Sequence, residues 1–187
     1  MLEAMTKPRH LAIALIAAGL MPATPAQPAT LGDLFPPGAA SCFVATYDSG
    51  HLARNPKQTV GAVRLVTVPE HATTSGVNDT VILDLDVTLR SRKKPFAAVG
   101  LNCLRHDGDV WSCQERVCNP RFIEVTAENA NALTLDLRQR DGDKRRPGGL
   151  TLRGECGSRE IEKVTRLTLG AADQIFRLKR APAAACR

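Results

Sequence analysis

An all-β fold is predicted for this 187-residue sequence: an antiparallel meander of eight to ten short strands, closed or partly closed into a barrel and stapled by disulfides. Two packed sheets are the alternative arrangement of the same pattern. Three observations carry the prediction. Hydrophobicity alternates with a period of two, as where Val81, Leu83, Leu85, Val87 and Leu89 interleave with Ile82, Asp84, Asp86, Thr88 and Arg90, which gives a strand one apolar face and one mostly polar face. Turn residues recur at short, even intervals, and no long segment shows a 3.6-residue period. Six cysteines follow an N-terminal segment with the pattern of an export signal, the setting in which an even cysteine number reads as a disulfide framework.

In chain order, Lys7, Arg9 and His10 precede the apolar run Leu11–Leu20, then Met21, Pro22 and the small residues Ala23–Ala26. This is the charged, apolar and cleavable order of a signal peptide over residues 1–26, with an apolar run too short to span a bilayer. Periplasmic or secreted localisation follows, with no transmembrane segment after cleavage. Residues 27–40 are rich in Pro and Ala and read as an irregular lead-in. A single β domain is expected over 41–187, with strands near 41–48, 59–68, 80–90, 96–105, 109–115, 121–127, 132–139, 150–156, 162–169 and 174–180. One short helical turn is expected over Ser49–Asn55, capped by Asp48 or Ser49 and ended by Pro56. Cys103 and Cys113 lie five residues either side of Gly108 in the turn signal Asp107-Gly108-Asp109, so a hairpin centred there pairs them. Cys42, Cys118, Cys156 and Cys186 are left with three possible pairings, and a bridge at Cys186 would pin the C-terminal tail to the barrel.

Composition narrows function by exclusion. With 43% hydrophobic residues and 24% charged ones the chain is too apolar to be disordered. One Trp, one Tyr and five Phe leave little to stack on bases, and export removes the chain from most nucleic acid. The net charge of +6 is unevenly spread. If alternate loops of a meander share an end, the loops 49–58, 90–95, 116–119, 140–149 and 170–173 place eleven basic residues against three acidic ones at one end. The other end has two against seven. A basic rim containing Arg54, Arg92, Lys93, Lys94, Lys144, Arg145 and Arg146 would attract an anionic ligand, glycan, lipid headgroup or acidic protein surface. Solvated loops account for such runs without any partner.

Candidate chemistry is sparse. Tyr47, Asp48, His51 and Arg54 fall within one loop, where an Asp48 that orients the His51 imidazole would make it a general base; helix capping and turn closure explain the same residues. Ser91–Lys94 has the Ser-x-x-Lys spelling but sits in a hairpin loop rather than at a helix start. The triplets at 107–109 and 141–143 lack the further ligands of a calcium loop, and His10, His51, His71 and His106 do not pair at zinc spacing. No cofactor or metal is expected.

The segment Cys42-Phe43-Val44-Ala45-Thr46-Tyr47-Asp48-Ser49-Gly50-His51-Leu52, continuing to Pro56 and Gln58, resembles small exported proteins of unknown function from alphaproteobacterial genomes. The resemblance implies a bacterial periplasmic home and no activity or site. The leading expectation is a non-catalytic β-barrel module that binds an anionic or small amphiphilic partner through its basic loops, with an aliphatic interior that would suit an apolar chain. An inhibitor or chaperone-like partner of another exported protein, and an enzyme built on His51 and Asp48, are the alternatives.

Overall fold

The computed structural model describes residues 30–36, 38–67, 80–92, 95–105, 110–115, 121–151 and 166–186. The signal segment 1–26, Lys93, Lys94, the Asp107 turn, Cys118, Cys156 and the 157–162 loop lie outside them.

Eight strands close into an antiparallel barrel. In chain order these are β1 (Cys42–Thr46), β2 (Val60–Thr67), β3 (Thr80–Leu89), β4 (Phe96–Arg105), β5 (Val110–Glu115), β6 (Phe122–Asn129), β7 (Ala132–Asp136) and, after a long excursion, β12 (Ile175–Ala181). Each pairs with its predecessor, and β12 closes the ring between β7 and β1. The predicted alternation is what packs the interior. Val81, Leu83, Leu85 and Val87 point in from β3, and Leu133 and Leu135 from β7. Trp111, Phe43, Phe176, Leu65, Leu101 and Ile123 join them, all essentially inaccessible. An eight-stranded barrel is just wide enough for side chains to fill it, and here they do. The interior is therefore not the place for an apolar ligand chain, which corrects that part of the sequence expectation.

Outward positions carry Arg64, Asp84, Asp86, Asn102, Gln114, Glu124, Arg177 and Lys179. A wall that is charged outside and aliphatic inside is the inverse of a membrane-spanning barrel, and no described helix is long and apolar enough to cross a membrane. Across the wall, Arg64 and Asp86 are register partners and form an ion pair. The paired aspartates on β3 are thus outer-wall residues, as alternation alone requires.

The strands predicted at 150–156 and 162–169 do not join the barrel. The excursion from β7 to β12 forms two small hairpins instead: β8 (Gln139–Asp141) with β9 (Lys144–Arg146), and β10 (Gly149–Thr151) with β11 (Arg166–Thr168). Their alternation is genuine, because Leu150, Leu167 and Leu169 are buried in the same core as the barrel, but they add to it from the end where β7 finishes and β12 starts. Gly148 and Gly149 permit this closeness. A Cβ at Gly148 would fall 1.6 Å from the Leu137 carbonyl oxygen, and one at Gly149 2.3 Å from that of Leu167. The whole excursion leaves β7 and returns to β12 at the end that also carries the 49–58 loop, so 140–149 and 170–173 connect there as the alternate-loop map has them.

Two further differences concern the termini. The lead-in is not irregular throughout, since Leu31–Leu34 forms a helical turn, α1, with Asp33 accepting from the Thr30 backbone N and hydroxyl at 2.7 and 2.8 Å. Leu34 and Phe35 are core residues, and Phe35 meets Phe43 edge-on. The fold therefore begins before Ser41. At the other terminus Cys186 bridges to Cys42, while Cys103 and Cys113, direct register partners on β4 and β5, form the second bridge. The sequence symmetry about Gly108 predicted that pair.

Candidate functional site

The sequence singles out the loop after β1, and the structure explains each of its residues. Ser49–Arg54 is a helical turn, α2, capped by Asp48, whose carboxylate accepts from the His51 backbone N at 2.6 Å. Asp48 therefore does not orient the imidazole, which corrects the pairing proposed for an acid–base site. The His51 ring instead meets Gln58, Nε2 to Oε1 at 2.9 Å, and Gln58 is fixed in turn because its Nε2 donates to the Val60 carbonyl at 3.0 Å. An amide oxygen accepts, so Nε2 is the donor of this pair. Tyr47 packs against the core and lies over His51 with ring centroids 4.8 Å apart. Burial, and then the nearby negative charge of Asp173, hold its phenol above the ordinary value, so it remains protonated at neutral pH. Arg54 is exposed on the same turn.

Two residues that sequence reasoning missed anchor this end. Asp173, fully buried, accepts from the Thr59 backbone N at 2.8 Å, the Thr59 hydroxyl at 2.7 Å and the Val60 backbone N at 3.2 Å. Gln174 accepts from Gly148 N at 2.6 Å and donates to the carbonyls of Leu169 at 2.9 Å and Gly170 at 3.0 Å. Together they tie the excursion to β2 and to itself. The signature loop is thus a self-satisfied closure of the barrel end.

A second place on the molecule is less self-satisfied. The β8–β9 hairpin folds back onto the outer wall, where Glu124 on β6 and Asp136 on β7 are direct register partners. Two carboxylates side by side repel, and three guanidiniums resolve the conflict. Arg138 holds Asp136 through Nε at 3.0 Å and Nη2 at 2.7 Å; Arg140 Nε meets Glu124 at 2.6 Å; Arg145 Nη2 meets the other Glu124 oxygen at 2.6 Å and its Nη1 lies 3.6 Å from Asp136. Partial burial favours a neutral Asp136 carboxyl, but the hydrogen bonds and charge of Arg138, with Arg145 behind it, outweigh burial and hold it below the ordinary carboxylate range. Three cations against two anions leave one positive charge in excess. Arg138 Nη1 and both terminal nitrogens of Arg140 make no hydrogen bond among the described residues, and the Arg140 side chain is 55% exposed.

Beside this cluster runs a groove of about 420 Å³ on the outside of β4, β5 and β6, lined by Leu104, Val110, Ser112, Gln114, Phe122, Glu124 and residues 138–140. Leu104 and Phe122 are among the few large apolar side chains left in solvent among the described residues, 46% and 53% exposed. Of the basic residues predicted as a rim, Arg145 is brought here, Lys144 and Arg146 stay on the exposed hairpin with Arg146 paired to Asp141, and Arg92 lies in the separate β3–β4 turn. Arg138 was missed because it continues the alternation of β7 and reads as one more strand position.

A scan against protein-family models returns no match, and neither curated proteins nor solved structures yield one. The groove and the loop are therefore read from their own residues.

Proposed function

We propose that this chain is an exported, non-catalytic binding module, periplasmic or secreted in a bacterium, whose outer-wall groove takes a small anionic amphiphile. The observation that carries the reading is the adjacency of exposed Leu104 and Phe122 to guanidiniums with open donors. Large apolar side chains in solvent beside convergent polar groups are the usual composition of a ligand site. A carboxylate, sulfate or phosphate head suits the open nitrogens of Arg138 and Arg140, since guanidinium groups bind such anions through directed, charge-assisted hydrogen bonds. The apolar chain would then lie along Leu104, Val110 and Phe122. Export is supported by the order of charged, apolar and small residues at the N-terminus and by the two disulfides, which persist in oxidising compartments.

Titration calorimetry with monomeric alkyl phosphates of increasing length tests this. Each added methylene buried in the groove contributes about 0.8 kcal/mol, so affinity rises roughly fourfold per carbon until the groove is full. Phe122→Ser lowers affinity for every chain length, and the neutral alkyl alcohol of equal length binds more weakly than the phosphate. Binding that ignores chain length, or that is equal for phosphate and alcohol, contradicts the reading.

A further inference from the structure

The groove has a neighbour. A second concavity of about 260 Å³ is lined by Pro147, Ala171, Ala172, Gln174 and Ile175, with Arg145 at its margin, and Arg138 lines it as well as the first groove. Its lining includes Ile175, 50% in solvent and, with Leu104 and Phe122, one of three large exposed apolar side chains among the described residues. One guanidinium is thus a ridge between two apolar concavities. Asp136 occupies Nε and Nη2 of Arg138, leaving Nη1 without a hydrogen bond among the described residues.

We propose that the ligand is a two-chain anionic lipid, bound as a single molecule with its head on Arg138 and one chain in each concavity. This rests on the amphiphile reading above and specifies its substrate class. A one-chain amphiphile covers Phe122 and leaves Ile175 in water; a branched one covers both, and the free energy of burying apolar surface scales with the area removed from water. The head must be anionic, because three guanidiniums face two carboxylates at this point. The occupant is one lipid molecule rather than a bilayer surface. Leu104 stands on β4 and Ile175 on β12, four places apart in a ring of eight strands, so a flat membrane cannot lie against both while a lipid with splayed chains reaches both around the convex wall.

The test uses the full-length mature chain and short-chain phosphatidylglycerol below its micelle concentration, beside its one-chain lyso form, in calorimetry. Phe122→Ser and Ile175→Ser alter side chains half in solvent, so both variants keep the wild-type near-ultraviolet spectrum of buried Trp111. The two-chain lipid is expected to bind one to one and to lose about tenfold in affinity in either variant. The lyso form is expected to lose as much in Phe122→Ser and nothing in Ile175→Ser. Two-chain affinity that is unchanged by Ile175→Ser overturns this inference while leaving the amphiphile reading intact; failure of both lipids to bind overturns both. A third arm presents the same lipid class as long-chain vesicles. Capture by vesicles without binding of the monomeric lipid would identify a membrane-surface contact and defeat the single-molecule proposal.

Discussion

Asp173 is the most deeply buried carboxylate among the described residues, and its two backbone donors, Thr59 N and Val60 N, stand where the chain enters β2. Removing the carboxylate strands the Val60 donor in the core, and a buried donor left unpaired costs about 1–3 kcal/mol. Asp173→Ala should therefore lower the urea midpoint more than any substitution in the signature loop, whereas loss of the Asp48 cap in Asp48→Ala costs about 1 kcal/mol. A denaturation series comparing the two checks the order. His51→Ala should remove the bond to Gln58 and the ring contact with Tyr47 with only a modest loss of stability. At this scale the sequence was partly legible. Asp48 could be read as a cap because a cap needs only its own helix, but Asp173 acts on residues more than a hundred positions away, and no local pattern signals that.

Among the elements, the β8–β9 hairpin is the one held by charge. Its arms are three residues each, its turn is made by Gly142 at a φ of +59°, and an isolated hairpin of that size is not stable in water. Glu124 and Asp136 anchor it to the wall. Because the folded state holds the Asp136 carboxyl below its ordinary value, the stabilisation is present above the unfolded pKa of about 3.9 and is lost as pH falls through the lower folded value. Stability measured from pH 5 down to pH 2 should fall in the wild type and fall less steeply in Asp136→Asn, which begins weaker. Equal slopes would show that Asp136 does not hold the hairpin. The turn itself was legible, as Asp141-Gly142-Asp143 is turn chemistry. The hairpin's return onto the wall was not, because Arg138, Arg140 and Arg145 look in sequence like ordinary solvated charge, and their partners Glu124 and Asp136 look like alternation.

For the whole molecule, period-two patterning was sufficient for an antiparallel meander of eight to ten strands, and β1 to β7 pair in sequence order because each needs only its next neighbour, while β12 returns past the excursion to close on β7 and β1. What it could not give was the position of the excursion. Leu150, Leu167 and Leu169 are as apolar and as buried as wall residues, and only the three-dimensional ring shows that they cap the barrel rather than extend it. The disulfides act at this scale too. Cys42–Cys186 links positions 144 apart, so opening it in Cys42→Ser should cost about 2–4 kcal/mol, chiefly through the freedom returned to the unfolded chain. Non-reduced mass spectrometry should show the loss of at least four hydrogens, two for each bridge among the described residues. A smaller loss would contradict one of the two.

The central claim is that a filled barrel binds its ligand on the outside of its wall, and methyl and aromatic NMR during titration with a monomeric anionic amphiphile tests it most directly. Leu104, Val110 and Phe122 should shift in a saturable manner while Leu83, Leu85 and Leu101 inside the barrel stay still. Shifts confined to the interior residues, or none at all at saturating ligand, would contradict it.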